Sequence, residues 1–198
     1  MNLQFYLEKL KVSEEYKKFM KENPSAYLCS GFFSIDKVGK DNKQHFDFCV
    51  PQSATISRPP NPDKTINKKS LVNSPNKSSS DSEGKSKIIS FQLEENCKMI
   101  PIENFGEKKF EKISEEIDFD FSEVEKMIEE KMVEEKINNK LQKILLSLQK
   151  LDGKNFLVGT VFISGLGMIK VKVDLEKMEV IDFEKKSFFD VMKVVKKK

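Results

Sequence analysis

The chain has 198 residues, 38% of them apolar and 34% charged, with a formal net charge of +3. That length can bury a substantial core, while the modest apolar share leaves part of the chain outside it. A charge so close to neutral, with one Arg (Arg58) among 35 basic residues, argues against nucleic-acid binding, because lysines are point charges and lack the planar fork that reads phosphates and base edges.

The opening run Met1 to Lys9 has no basic segment followed by an apolar one, so no signal peptide is expected. Nor is there a run of 18 apolar residues to cross a membrane as a helix. Cys29, Cys49 and Cys97 lack CxxC spacing and suit a reducing compartment, so a cytoplasmic location is expected.

Residues 3–22 read as helical in two pieces. Leu3, Leu7 and Leu10 share one face, and Ser13 is placed to cap a second piece carrying Tyr16, Phe19 and Met20. Asn23-Pro24 stops it. A strand over 26–36 and a second over 44–50, with Phe46, Phe48 and Val50 on one face, form a predicted hairpin. From Pro51 the composition turns to Ser, Pro, Asn and Lys, and 51–86 reads as a disordered insertion that cannot offset its ordering entropy. A strand resumes at Ile88 to Leu93, and Cys97 to Ile102 reads as a short strand. Ser122-Glu123-Val124-Glu125 matches a capping box. Val124, Ile128, Val133, Ile137, Leu141, Ile144, Leu148 and Leu151 then keep helical spacing, so one long helix is expected, ended by Asp152-Gly153.

Two further strands follow. Pairing Phe162 with Ile169 puts Phe156, Val158 and Thr160 on one face with Val171, Val173 and Leu175, and points Lys170, Lys172 and Asp174 away. Ser164-Gly165-Leu166-Gly167 makes the turn, Glu176-Lys177 makes another, and Met178 to Phe183 forms a third strand. A short helix from Ser187 carries Phe188, Met192 and Val195 and ends in Lys196-Lys197-Lys198.

These elements give an α+β fold: antiparallel β-meanders packed against helices, with helix–hairpin–strand order occurring about twice and a long helix in the C-terminal half. Superimposing Ala26–Ile35 on Asn155–Ser164 gives two identities, Leu28 with Leu157 and Phe33 with Phe162, which leaves duplication and coincidence both open. The helix–meander order resembles that of cystatin-type and PepSY-type modules, with no motif residues behind the likeness. A single domain over 1–198 is expected, the alternative being a first unit at 1–95 and a second at 122–198.

Candidate chemistry is sparse. Pairing Ile35 with Lys43 sets Cys29 opposite Cys49, where they could form a disulfide or half of a metal site with Cys97 and His45 nearby. The missing close ligand pair speaks for buried packing instead. His45, the sole His, has no nucleophile elbow or evident carboxylate partner in the sequence. Gly165-Leu166-Gly167 lies between antiparallel strands and is a turn, since phosphate loops join a strand to a helix. Asp118 and Asp120, with Glu115 and Glu116, lack the Gly turn and distal Glu of a calcium loop and read as an acidic approach to a helix N-terminus. Ser78 to Glu83 reads as a solvated spacer. Lys193 and the terminal lysines suit a helix C-terminus, and membrane contact through them is not expected.

The resulting expectation is a non-catalytic binding or scaffolding module, without cofactor or metal, that acts through protein–protein contact or self-association. Its partner surface would be an apolar strip on the long helix: Val124, Met127, Ile128 and Met132. One alternative is a small-ligand or enzymatic pocket between that helix and the sheet, lined by Phe and involving His45 or a Cys. A weaker one is nucleic-acid contact through Lys170 and Lys172.

Overall fold

Asn2 caps the first helix by accepting the Phe5 N–H on its side chain, and Ser13 accepts the Tyr16 N–H to cap the second. In a computed structural model, which describes residues 2–39, 41–51, 87–94, 96–102 and 110–187, these are α1 (Leu3–Val12) and α2 (Glu14–Glu22). Four strands follow: β1 (Tyr27–Asp36), β2 (Lys43–Val50), β3 (Lys87–Leu93) and β4 (Cys97–Ile102). Then come α3 (Phe121–Glu134) and four more strands, β5 (Leu141–Leu151), β6 (Lys154–Ile163), β7 (Gly167–Asp174) and β8 (Glu179–Ser187). The insertion expected beyond Pro51 and the helix and lysine tail expected beyond Ser187 lie outside the described residues.

All eight strands form one antiparallel sheet in the order β4-β3-β2-β1-β5-β6-β7-β8. Each half is a helical segment followed by a four-stranded meander, and β1 and β5 meet at the centre from Gly31↔Leu148 to Asp36↔Lys143. Both units of the alternative domain division therefore contribute to one sheet. By position the counterpart of β1 is β5, not β6, so the superposition of Ala26–Ile35 on Asn155–Ser164 compares strands that are not equivalent.

The long helix is corrected at its middle. The side chain of Asp120, not Ser122, caps α3 by accepting the Ser122 N–H at 2.7 Å. The helix ends in a Schellman arrangement: Ile137 N–H donates to the Met132 carbonyl at 2.8 Å and Lys136 N–H to that of Val133 at 3.0 Å. Lys136 occupies the left-handed position, at φ 56°, where Gly would be the usual signal. Buried Ile137 and Met132 supply the apolar contact that accompanies this motif.

Residues 141–151 are then a central strand. Ile144, Leu146 and Leu148 point into the core and are buried, while β1 and β6 satisfy the strand's backbone on either side. Leu, Gln and Lys favour helix intrinsically, but tertiary pairing overrides so weak a preference. Asp152-Gly153, at φ 51° and 79°, is accordingly a two-residue hairpin turn between Leu151 and Lys154, and not a helix cap.

The β6–β7 register is one residue from the expected one: Phe162 pairs with Met168 and Val161 with Ile169. A single slip exchanges the faces. Leu157, Val161 and Ile163 join Ile169, Val171 and Val173 in the core, and Phe156, Val158, Thr160 and Phe162 share the outer face with Lys170 and Lys172. The β1–β2 register also differs, with Tyr27↔Cys49 before a bulge between Leu28 and Ser30 and Ser34↔Lys43 after it.

The three helices pack on one face of the sheet. Leu3, Leu7, Leu10, Tyr16, Phe19, Val124, Ile128 and Met132 belong to the same buried cluster as the inward strand residues. Tyr16 and Phe19 meet Phe48 and Phe91 edge to face, with ring centroids 5.2 to 6.2 Å apart, an arrangement favoured by the ring quadrupoles.

Candidate functional site

The two edges of the sheet, as drawn by the described residues, are unlike. On β8, Glu179, Asp182, Glu184, Lys185 and Lys186 carry charge along the rim, the usual protection of an open edge. On β4, Cys-Lys-Met-Ile-Pro-Ile carries one charge, Lys98. Met99, Ile100 and Ile102 are 50%, 41% and 39% exposed. The strand pairs with β3 from Leu93↔Cys97 to Ile88↔Ile102. Only Pro101, which lacks an N–H, interrupts its donor row. Proline within a strand run marks an edge, so this position was readable in the sequence, although the exposure of its neighbours was not.

The sheet face away from the helices carries polar groups and thiols over β1–β3. His45, Asp47 and Cys49 alternate outward on β2, opposite Gln92, Ser90 and Ile88 of β3. Burial pushes the Asp47 carboxyl above the usual range, against the downward pull of the Ser90 hydroxyl, the His45 charge and the Ser30 hydroxyl. Burial pushes the His45 imidazole down, opposed by Asp47, and its Nε2 is buried without a hydrogen-bond partner among the described residues. Phe32 meets the ring edge to face at 5.7 Å. Cys29 and Cys49 pack together with Ile88, flanked by Tyr27 and Phe110. Cys97 packs against the main core, apart from that pair. His45 and all three Cys therefore do not gather around one site, and Cys29 and Cys49 are buried in packing. Among the described residues no three His, Cys, Asp or Glu groups could hold a metal ion together.

A pocket of about 230 Å³ opens where α1 and α3 meet the β1–β2 end of the sheet. Tyr6, Phe33 and Phe121 wall it, with Phe33 and Phe121 rings 4.9 Å apart. Gln44, Asn42 and Glu125 add polar atoms, and Glu125 pairs with Lys37. Neither His45 nor a Cys lines it.

The expected partner strip is largely spent inside the protein. Val124, Ile128 and Met132 are buried against the sheet and Met127 is partly buried on the same cluster. α3 is 14 residues long, just under four turns, and its buried residues Val124, Ile128 and Met132 run along most of that length. Lys170 and Lys172 do lie on the outer face of β7, as expected, but each faces a carboxylate across the strand, Glu184 and Asp182. The Lys172 ammonium also sits 4.0 Å from the centroid of the Phe156 ring. Asp118 and Asp120 are engaged at the starts of α1 and α3, and Glu115 at the last turn of α1. Asp118 accepts from the Asn2 side chain and the Gln4 N–H, and Glu115 pairs with Lys11 at 2.9 Å.

Among the described residues no helix is long and apolar enough to cross a membrane. No protein-family model and no curated protein matches the sequence. Among solved structures, the chain is similar to a crystal structure of a candidate lipoprotein from Clostridium difficile 630. The two are 14% identical, the match covers 89% of this chain and 95% of that one, and the TM-score is 0.40.

Proposed function

We propose that the protein is a non-catalytic binding module that works through protein contact, and that the open edge of β4 is its contact surface. The exposed row Met99, Ile100 and Ile102 on an edge strand with one charge carries the reading, since such an edge templates the addition of an extended segment from another chain. Fully burying an Ile or Met side chain is worth about 1.5–3 kcal/mol, so covering the exposed part of these three contributes about 3 kcal/mol together. Association costs about 4–15 kcal/mol, so the contact must also draw on the main-chain ladder and on neighbouring surface.

A photo-cross-linking residue at Met99, compared with one at Ile181 on β8, tests this. The expected result is a discrete adduct, to a second copy or to another protein, from the Met99 position only, lost when Ile100→Lys is added. Equal cross-linking from both edges, or adducts indifferent to Ile100→Lys, would remove the reading.

A second reading rests on the pocket between Tyr6, Phe33 and Phe121. Its volume lies under the range of about 300–1,000 Å³ common for ligand sites, so it suits a small, partly aromatic or apolar molecule held by Gln44 or Glu125. Chemical-shift changes confined to Tyr6, Gln44 and Phe121 on adding small aromatic fragments would favour it over the edge-strand reading.

A further inference from the structure

Two of the three thiols are placed together by a bulge. Leu28 pairs with Phe48 and Ser30 with Asp47, so Cys29 is the extra residue between them. Its side chain emerges on the outer face, where the Sγ–H donates to the Asp47 carbonyl at 3.3 Å. Cys49, two residues along β2 from Asp47 on the same face, packs against it in one small cluster, and both are buried. The third thiol, Cys97, stands on β4 against the helix-covered core and serves as an internal control.

We propose that Cys29 and Cys49 are a redox couple, joined as a cross-strand disulfide in the presence of a low-molecular-weight disulfide and returned to the dithiol by a reductant. The two groups are chemically unequal. Cys49 is held below the ordinary thiol range, first by its hydrogen bond with Cys29 and also by the Tyr27 hydroxyl, whereas Cys29 is held above it by Cys49 and by burial. In the closed site Cys49 is therefore the more acidic of the two, and once the site opens the exchange balances from either sulfur. Starting from Cys49, its thiolate attacks one sulfur of RS–SR, forming a Cys49–SR mixed disulfide and expelling RS⁻. Cys29 then gives up its proton to solvent and attacks the Cys49 Sγ, closing the Cys29–Cys49 bond and expelling the second RS⁻. Two protein thiols are oxidised and one small disulfide is reduced to two thiols. Because both sulfurs are buried, exchange requires opening of the β1–β2 hairpin, and equilibrium is reached by refolding in the redox buffer.

The test refolds the full chain from urea in mixtures of reduced and oxidised glutathione, quenches with acid, alkylates under denaturing conditions and maps the peptides by mass. The expected result is loss of two of three alkylated sites under oxidised glutathione, with Cys97 still alkylated and the Cys29 and Cys49 peptides linked. Excess dithiothreitol should restore all three. The Cys97→Ser chain should behave the same way, and the linked form should melt above the dithiol form because the closed loop restricts the unfolded chain. Three alkylated sites at every ratio, a bond that includes Cys97, a disulfide between two chains, or a persistent glutathione adduct on Cys49 would each overturn the proposal.

Discussion

Leu146 and Leu151 lie five residues apart in a segment whose spacing suits both a helix and a strand, and truncating each to Ala separates the two. As a helix, the segment would bury Leu141, Ile144, Leu148 and Leu151 and leave Leu146 off the stripe. As β5 it buries Ile144, Leu146 and Leu148. Leu146 is 0% exposed and Leu151 is 43% exposed. Leu146 also sits close beneath Gly159: a Cβ built on that glycine would lie 2.9 Å from Leu146 Cδ2. The side chain thus fills the space the glycine leaves, and the surrounding strands, hydrogen-bonded on both sides, have little room to collapse. Leu→Ala at such sites costs roughly 2–5 kcal/mol, and limited collapse keeps the cost off the lower end, at about 3 kcal/mol or more. For a chain of this size each kcal/mol shifts Tm by about 2–4 °C, so Leu146→Ala should melt about 6–12 °C lower. Leu151→Ala should stay within about 0.5 kcal/mol of the parent, as surface substitutions do. Urea unfolding followed by circular dichroism, with a common m-value, gives both numbers. A Leu146→Ala cost below about 1 kcal/mol together with a Leu151→Ala cost above about 2 kcal/mol would refute the strand assignment.

Two further outcomes follow from the same sheet. In Gly159→Ala, the new Cβ would meet the Leu145 carbonyl oxygen at 2.0 Å, a backbone atom that cannot step aside without breaking the β5–β6 ladder. The expected cost is about 3 kcal/mol or more, read by the same urea titration, and a change within 0.5 kcal/mol would show that the strands yield freely. Asp47→Asn should stabilise the protein at pH 7. The folded state holds the Asp47 proton more tightly than the unfolded one, so the charged carboxylate lowers stability as pH rises from the unfolded value of about 3.9 through the raised folded value. The gain should shrink to nothing at pH 3, and a pH-independent difference in Tm between pH 3 and pH 7 would remove burial of the charge as its cause.

The sequence carries the outline of the fold, and the gaps have physical causes. The double start at α1 and α2 was legible because Leu3, Leu7 and Leu10 keep one face and Ser13 is a strong cap. β1, β2 and β3 were legible from aromatic and β-branched runs between breakers. The end of α3 was hidden because a Lys occupies the left-handed position at 136. A Leu-, Gln- and Lys-rich strand then continued the 3.6-residue spacing, whose stripe includes Ile144 and Leu148 under both periods. Asp152-Gly153 is among the stronger two-residue hairpin signals, and reading it as a cap followed from the helix before it. The β6–β7 register failed by one because alternate positions on β6, Phe156-Val158 and Leu157-Val161, are apolar on both faces, so hydrophobicity alone does not choose between them. The edge row of β4 was signalled by Pro101, whereas the pocket at Tyr6, Phe33 and Phe121 joins residues far apart in the chain and has no local pattern.

The central β1–β5 pair has a consequence for how the protein is made. β1 is complete at Asp36 and its partner begins at Leu141, on the order of 100 residues later. At about 5–20 residues per second, a ribosome leaves β1 without its neighbour for roughly 5–20 s. Until then the first meander presents two open edges, one of them the aromatic strand at Phe32-Phe33. Long-range antiparallel pairing of this kind is intrinsically slow to form. The join that makes one sheet of two halves is thus also the step at which the first half waits on synthesis of the second.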